Sequence, residues 1–142
     1  MRIAIGADDR GPLLDALVEA LERRGDRIER YGAIADGSTA WAEIGRAVGE
    51  VVASGRADAG IVCCWTGTGI SIAANKVRGV RAALCGDAVT AAGARKWNDA
   101  NVLALSLRAT APAIGVEILT AFLTPPASDA ARDRAEIGKL ER

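Results

Sequence analysis

The chain contains no histidine, which removes the residue most often used as a general base or metal ligand near neutral pH. Aromatics are scarce, with three tryptophans, one tyrosine and one phenylalanine in 142 residues. Three cysteines, two of them adjacent, form no disulfide framework and carry no C-x-x-C spacing for zinc, so a reducing, cytoplasmic setting is expected. No apolar run approaches the ~20 residues of a membrane span, and the first residues run straight into a strand with no leader-like stretch. Neither sign of charge is in excess: 18 Lys and Arg balance 18 Asp and Glu, which argues against nucleic acid or an acidic membrane surface as partner. What remains is the profile of a globular domain, half hydrophobic and one quarter charged, long enough to bury a sizeable core.

Strand-like and helical stretches alternate along the chain. Short apolar runs at Arg2–Gly6, Ala59–Cys63, Val80–Cys85 and Asn101–Leu105 read as buried strands, and Arg27–Tyr31 alternates like a strand at a sheet edge. Between them, Leu13, Leu14, Leu17, Ala20 and Leu21 make a helical face that stops at Arg23-Arg24-Gly25, and helices are predicted at Ala40–Ala53, Asp87–Trp97 and Ala111–Leu123. This is the pattern of βαβ units. It predicts a doubly wound, three-layer αβα sandwich on a parallel five-stranded sheet, Rossmann-like in outline, over residues 1–124. Pro125-Pro126 then separates a charged helical arm, residues 125–142. Ligands of such folds sit at the carboxyl ends of the strands, where the loops Ala7–Gly11, Cys64–Gly69 and Gly86–Asp87 fall.

One stretch carries most of the chemical signal: Cys63-Cys64-Trp65-Thr66-Gly67-Thr68-Gly69-Ile70-Ser71-Ile72-Ala73-Ala74-Asn75-Lys76. A buried strand enters it, a Thr/Gly turn follows, and Ile72, Ala73 and Val77 continue with helical spacing. Strand, glycine turn and helix start aim backbone N–H groups and a helix dipole at one spot suited to negative charge. A cysteine at the mouth of such a turn has the setting of a nucleophile or base. The plainer alternative is a structural turn with a buried thiol. Nucleotide motifs are missing: there is no G-x-x-x-x-G-K-[ST], and Gly67-Thr68-Gly69 lacks the third glycine of a dinucleotide fingerprint.

The order Gly-Ile-Val-x-Cys-x-Thr-Gly-x-Gly-x-Ser-Ile-Ala-Ala-Asn-Lys, with Gly79–Cys85, Asn98-Asp99-Ala100-Asn101-Val102-Leu103 and the early Gly6-Ala7-Asp8, resembles the ribose-5-phosphate isomerase B / galactose-6-phosphate isomerase family over about Met1 to Leu123. The resemblance implies a doubly wound α/β domain that forms homodimers, sometimes tetramers, with the active site at the subunit interface and the terminal arm packed on the partner. It implies aldose–ketose interconversion through an enediolate, with no metal or other cofactor and a small sugar as the only partner besides the second subunit.

By the same resemblance, Cys64 matches the base, Thr66 the residue that shuttles the hydroxyl proton, and Asp8 a carboxylate for ring opening or hydroxyl binding. The amides of Gly67, Thr68, Gly69, Ile70 and Ser71 match the oxyanion hole, and Asn98 an amide that binds substrate hydroxyls. A branch of the family places a glutamate where this chain has Ile70, which leaves Cys64 as the only candidate base. The departures point to substrate. Asp9 replaces a phosphate-binding histidine, Trp97 a ring-opening histidine, Trp65 a glycine and Trp41 a tyrosine. All three tryptophans thus fall at positions lining the family's pocket, either as infill or as walls for a flat, apolar sugar face. Arg132 and Arg134 stand in the arm that supplies phosphate-binding groups, without its histidine. The sequence therefore predicts an isomerase of this type acting on a non-standard or non-phosphorylated sugar. Two alternatives are a retired homologue that binds a small molecule, or an enzyme using the turn for another carbanion reaction such as epimerisation or elimination. Cys63 is expected to face the core, Cys85 to be structural, and Lys76 and Arg81 to be solvated charges.

Overall fold

The computed structural model describes residues 1–141. Five parallel strands form one sheet: β1 (Arg2–Ala7), β2 (Arg27–Gly32), β3 (Ala59–Cys64), β4 (Ala82–Leu84) and β5 (Val102–Ser106), in the order β2-β1-β3-β5-β4. The helices are α1 (Pro12–Arg23), α2 (Trp41–Ala53), α3 (Thr68–Asn75), α4 (Ala88–Asn98), α5 (Pro112–Leu123) and α6 (Ala131–Leu140), with a short 3-10 turn at Ala33–Ala35. As predicted, β2 is an edge strand, and its residues are the least buried of the longer strands.

Right-handed crossovers decide which face each helix covers. The connections β2→β3 and β3→β4 move one way across the sheet and place α2 and α3 on one face. The connections β1→β2 and β4→β5 move the other way and place α1 and α4, joined by α5, on the opposite face. Each face has its own apolar cluster. Leu13, Leu17, Ile61, Leu103, Ile118 and Phe122 are among the residues filling one, and Ile44, Val48, Val62, Ile70 and Val102 among those filling the other. The direction of winding reverses between β1 and β3, so the crevice for a ligand opens there, at the carboxyl ends of the strands.

Two local expectations change. The strand predicted at Val80–Cys85 pairs only over Ala82–Leu84. In α3 the buried positions are Ile70, Ser71, Ala73 and Ala74, whereas Ile72 faces solvent. The helix starts at Thr68, and from there a 3.6-residue period puts Ile70, Ala73, Ala74 and Val77 on one face and Ile72 opposite.

The position of α3 is set by α2. A Cβ on Gly45 of α2 would stand 2.6 Å from the Ile70 carbonyl oxygen and 2.9 Å from the Ala73 Cβ, so the helices touch backbone to backbone at this point. Gly45→Ala is expected to wedge α3 away and cost about 1–3 kcal/mol, as overpacking does in a filled interior, read as a lower urea midpoint at unchanged slope.

Candidate active site

Strand β3 ends in the two adjacent cysteines, and alternation along the strand sends them to opposite faces. Cys63 enters the cluster beneath α1 and α5, and Cys64 the cluster with Ile44, Val62 and Ile70 beneath α2 and α3. Both are buried because helices cover both faces, so burial alone does not separate a core cysteine from a functional one. Desolvation in the apolar interior, with smaller contributions from Cys64 and Asp8, pushes the Cys63 thiol far up. Burial and Asp87 push Cys85 up to about 11. Cys64 is 5% exposed and is the cysteine on the face of the sheet that α3 covers, directly before the turn.

The turn is built around Gly67. Its φ is +74°, and a Cβ there would stand 2.5 Å from the Leu84 Cδ1 and 2.9 Å from the Leu105 carbonyl carbon and oxygen. A side chain is therefore excluded by backbone angle and by space together. The Gly67 N–H donates to the Cys64 carbonyl at 3.1 Å, and the Ser71 N–H donates to the Gly67 carbonyl at 3.3 Å as the first bond of α3. Of the five amides assigned to an oxyanion hole, these two are thus spent within the turn. Thr68, Gly69 and Ile70 occupy the first three helical positions, whose N–H groups have no acceptor within the helix. The indole of Trp41, at the start of α2, lies against Gly69: a Cβ on that glycine would be 3.1–3.2 Å from three of its ring atoms. The hydroxyls of Thr66 and Thr68 are 2.7 Å apart.

Asp8 follows β1 across the crevice, where its N–H donates to the Cys63 carbonyl at 3.4 Å. Burial, reinforced by the neighbouring Asp9 and opposed by a local backbone hydrogen bond, holds the Asp8 carboxyl above the usual carboxylate range. It therefore keeps its proton to higher pH than a surface aspartate. Asp9 is exposed and accepts the Arg10 N–H at 2.8 Å.

A third loop holds the turn from behind, and nothing in the sequence reading singled it out. The Leu107 N–H donates to the Cys64 carbonyl at 3.0 Å, the Arg108 N–H to the Trp65 carbonyl at 2.9 Å, and the Ser106 Oγ to the same Trp65 carbonyl at 2.9 Å. Ser106 Oγ also accepts the Ala109 N–H at 3.0 Å. A serine ending a buried strand two residues before a basic loop was the available signal.

The named residues divide between the two ends of the sheet. Asp8, Asp9, Trp41, Cys64, Trp65, Thr66 and the turn lie at the carboxyl ends. Helix α4 runs back antiparallel to the strands, so Trp97 and Asn98 lie beside the start of β4 and β5, four residues or about 13 Å away along β5 from Ser106, which pairs with Cys64. The terminal arm is tied to that same end: the Ser128 N–H donates to the Lys96 carbonyl at 2.7 Å, and Glu141 pairs with Arg81 at 2.6 Å. Arg132 and Arg134 are exposed on α6. The tryptophans do not form one pocket within the chain. Trp41, Trp65 and Trp97 are 47%, 64% and 55% exposed, and Trp97 folds back onto Gly93 of its own helix, with the Lys96 ammonium 5.9 Å from the ring centre. Arg81, expected to be a solvated charge, is largely buried in an ion-pair network.

A doubly wound α/β domain that sets a buried thiol and a helix start at its topological switch point defines a class, the small-molecule domains that act at the carboxyl edge of a parallel sheet. Within that class, this chain belongs to the ribose/galactose isomerase family, whose model matches residues 3–140. It is 40% identical over 124 residues to galactose-6-phosphate isomerase subunit LacB of Clostridium acetobutylicum, a match covering 87% of this chain and 72% of that one. It is 35% identical over 125 residues to D-erythrulose-4-phosphate isomerase of Pectobacterium atrosepticum, covering 87% and 82%. The solved structure of Clostridium thermocellum ribose-5-phosphate isomerase B superposes with a TM-score of 0.92 at 38% identity, over 99% of this chain and 95% of that one. Among the described residues no helix is long and apolar enough to cross a membrane.

Proposed function

We propose that this protein is an aldose–ketose sugar isomerase that moves a proton between adjacent carbons, with Cys64 as the base. The observation that carries the reading is that Cys64 ends β3 on the face that α3 covers, immediately before the turn whose next residues, Thr68, Gly69 and Ile70, have N–H groups with no acceptor within the helix. The Cys64 thiolate takes the proton from C2 of the open-chain aldose. The C–H electron pair becomes the C1–C2 double bond, and the former carbonyl oxygen takes up negative charge against those amides. Thr66, in contact with Thr68, passes a proton from the C2 hydroxyl to that oxygen. The Cys64 S–H then returns its proton to C1, and the C2 oxygen becomes the ketose carbonyl. Atoms and electrons balance with no net oxidation. As the ring opens, the bond between C1 and the ring oxygen breaks, Asp8 donates its proton to the ring oxygen, and its carboxylate takes up the anomeric hydroxyl proton as the C1 carbonyl forms.

The relatives are named for galactose 6-phosphate, erythrulose 4-phosphate and ribose 5-phosphate, so one scaffold serves sugars of different length. For this chain the proposed substrate is non-standard and lacks a phosphate at the Asp9 side, where a carboxylate would repel it. Trp41 and Trp65 offer flat apolar walls to the sugar instead. Asn98, Trp97, Arg132 and Arg134 cannot reach Cys64 from their own end of the sheet. In this reading a homodimer completes the site, the partner's arm end facing the carboxyl edge.

The substrate reading is tested with a matched pair, D-ribose and D-ribose 5-phosphate. Wild type is expected to favour the unphosphorylated sugar in kcat/KM, and Asp9→His with Trp97→His to shift the ratio towards the phosphate by about tenfold or more, the worth of one recovered charge-assisted contact. Efficient turnover of ribose 5-phosphate by wild type would remove the altered-substrate proposal.

A further inference from the structure

The run Asn98-Asp99-Ala100-Asn101 ends α4 and leads into β5, and only Asn98 has been given a role. Asp99 has φ +46°, a left-handed conformation that a non-glycine residue holds only where its surroundings over-determine it. Here the surroundings are two arginines. Arg95 Nη1 donates to Asp99 Oδ1 at 2.8 Å and to the Ala100 carbonyl at 2.9 Å. Arg81 donates from Nε to the Asp99 carbonyl at 2.8 Å and from Nη2 to Asp99 Oδ2 at 3.0 Å. Its Nη1 donates to Glu141 Oε1 at 2.6 Å, just past the end of α6. Asn101 closes the junction, accepting the Arg81 N–H at 2.8 Å and donating to the Gly79 carbonyl at 2.8 Å.

We infer that Arg81 is a positioning residue that fastens the terminal arm to the end of α4, so that Asn98, Arg132 and Arg134 are presented as one rigid group. The inference rests on the proposal above that Asn98 and the arm complete the partner subunit's site. No residue of α6 is fully buried, so hydrophobic burial contributes little to holding the arm in place. Its start is held by the Ser128 amide on Lys96, and its end by the Arg81–Glu141 pair. A lone exposed pair would be worth little. This one is different because the Arg81 side chain is 17% exposed and its planar fork satisfies Asp99 and Glu141 together. An ammonium on a flexible stem cannot reproduce that geometry.

Two substitutions test this. Glu141→Gln lies just past α6, outside both apolar clusters, and leaves the domain intact, and Arg81→Lys keeps the charge while losing the fork. Amide hydrogen exchange over residues 131–140 is expected to rise by about tenfold or more in both, with the β3 and β5 amides unchanged. For the better substrate of D-ribose and D-ribose 5-phosphate, KM is expected to rise about tenfold while kcat stays within about threefold, because the groups that bind lose their placement and the base does not. Glu141→Asp should recover part of both effects. Unchanged exchange in the arm would overturn the inference, as would a released arm with unchanged KM. Turnover of neither sugar by wild type would remove both as substrates, and turnover within tenfold of wild type in Cys64→Ala would remove Cys64 as the base; in either case the exchange measurement decides the fastening by itself.

Discussion

Cys64→Ala is expected to lower kcat for aldose–ketose interconversion by about 10²–10⁴-fold, the range a positioned general base supplies. The loss should fall on kcat and kcat/KM alike, because the thiolate acts on the reacting carbon and contributes little to holding the sugar. Stability should fall by only about 1 kcal/mol, the usual cost of a single small change, since the substitution removes one sulfur from the α2/α3 cluster. The other two cysteines provide the controls. Cys63 is fully buried on the opposite face with its thiol pushed up by desolvation, and Cys85 is buried with a thiol near 11. Cys63→Ala and Cys85→Ala should therefore keep wild-type kcat, whatever they cost in midpoint. In D₂O, wild type should place solvent deuterium on the product carbon that receives the proton, and Cys64→Ala should not do so at a measurable rate. Activity within tenfold of wild type in Cys64→Ala would mean that another group takes the proton.

Gly67→Ala is the substitution expected to damage both fold and site. The left-handed backbone costs an L-residue about 1–2 kcal/mol. The new methyl would also meet the Leu105 carbonyl at 2.9 Å, and a strand backbone cannot yield as the Leu84 side chain can. With about 1–3 kcal/mol for overpacking, the loss should be roughly 2–5 kcal/mol, measured as a shift in urea midpoint at constant slope. Relief of the clash moves the turn, and with it the amides of Thr68, Gly69 and Ile70. kcat/KM should then fall by about 10²-fold or more even at temperatures where the variant is folded. Gly69→Ala is the informative companion. Its backbone angle is ordinary, and the three atoms nearest the new Cβ all belong to the Trp41 ring, at 3.1–3.2 Å, a side chain that can shift where a strand backbone cannot, so it should be far better tolerated in stability.

Much of the architecture was legible without coordinates. Alternating apolar runs and helical faces specify βαβ units, because buried parallel strands read as continuous hydrophobic segments and crossover helices as amphipathic ones. The glycine turn after Cys64 was legible for the same kind of reason, since a tight strand-to-helix connection restricts residue type at the turn itself. The facing of Ile72 was not, because it depends on which residue begins α3, and helix starts are set by tertiary contacts as well as by local preference. That Trp97 stands at the opposite end of the sheet from Trp41 and Trp65 was not legible either, because the direction in which α4 runs sets that separation. Ser106 escaped notice because its work is a hydrogen bond to Trp65, which lies on another strand's loop.

The sequence by itself determined the fold class and the family, and it singled out one short stretch, Cys64 to Ser71, because these rest on local patterns and on residues close together in the chain. Only the tertiary structure decided that Thr68, Gly69 and Ile70 are the uncommitted amides, that Cys63 and Cys64 serve opposite cores, and that Arg81 is a tied arginine rather than a solvated one. It also separated Asn98 and the arm from Cys64 by the length of a strand. The physical reason is the same in each case. Hydrogen-bond partners, burial and distance are properties of residue pairs brought together by folding, and pairs such as Arg81 with Glu141 leave no mark on the local sequence of either member.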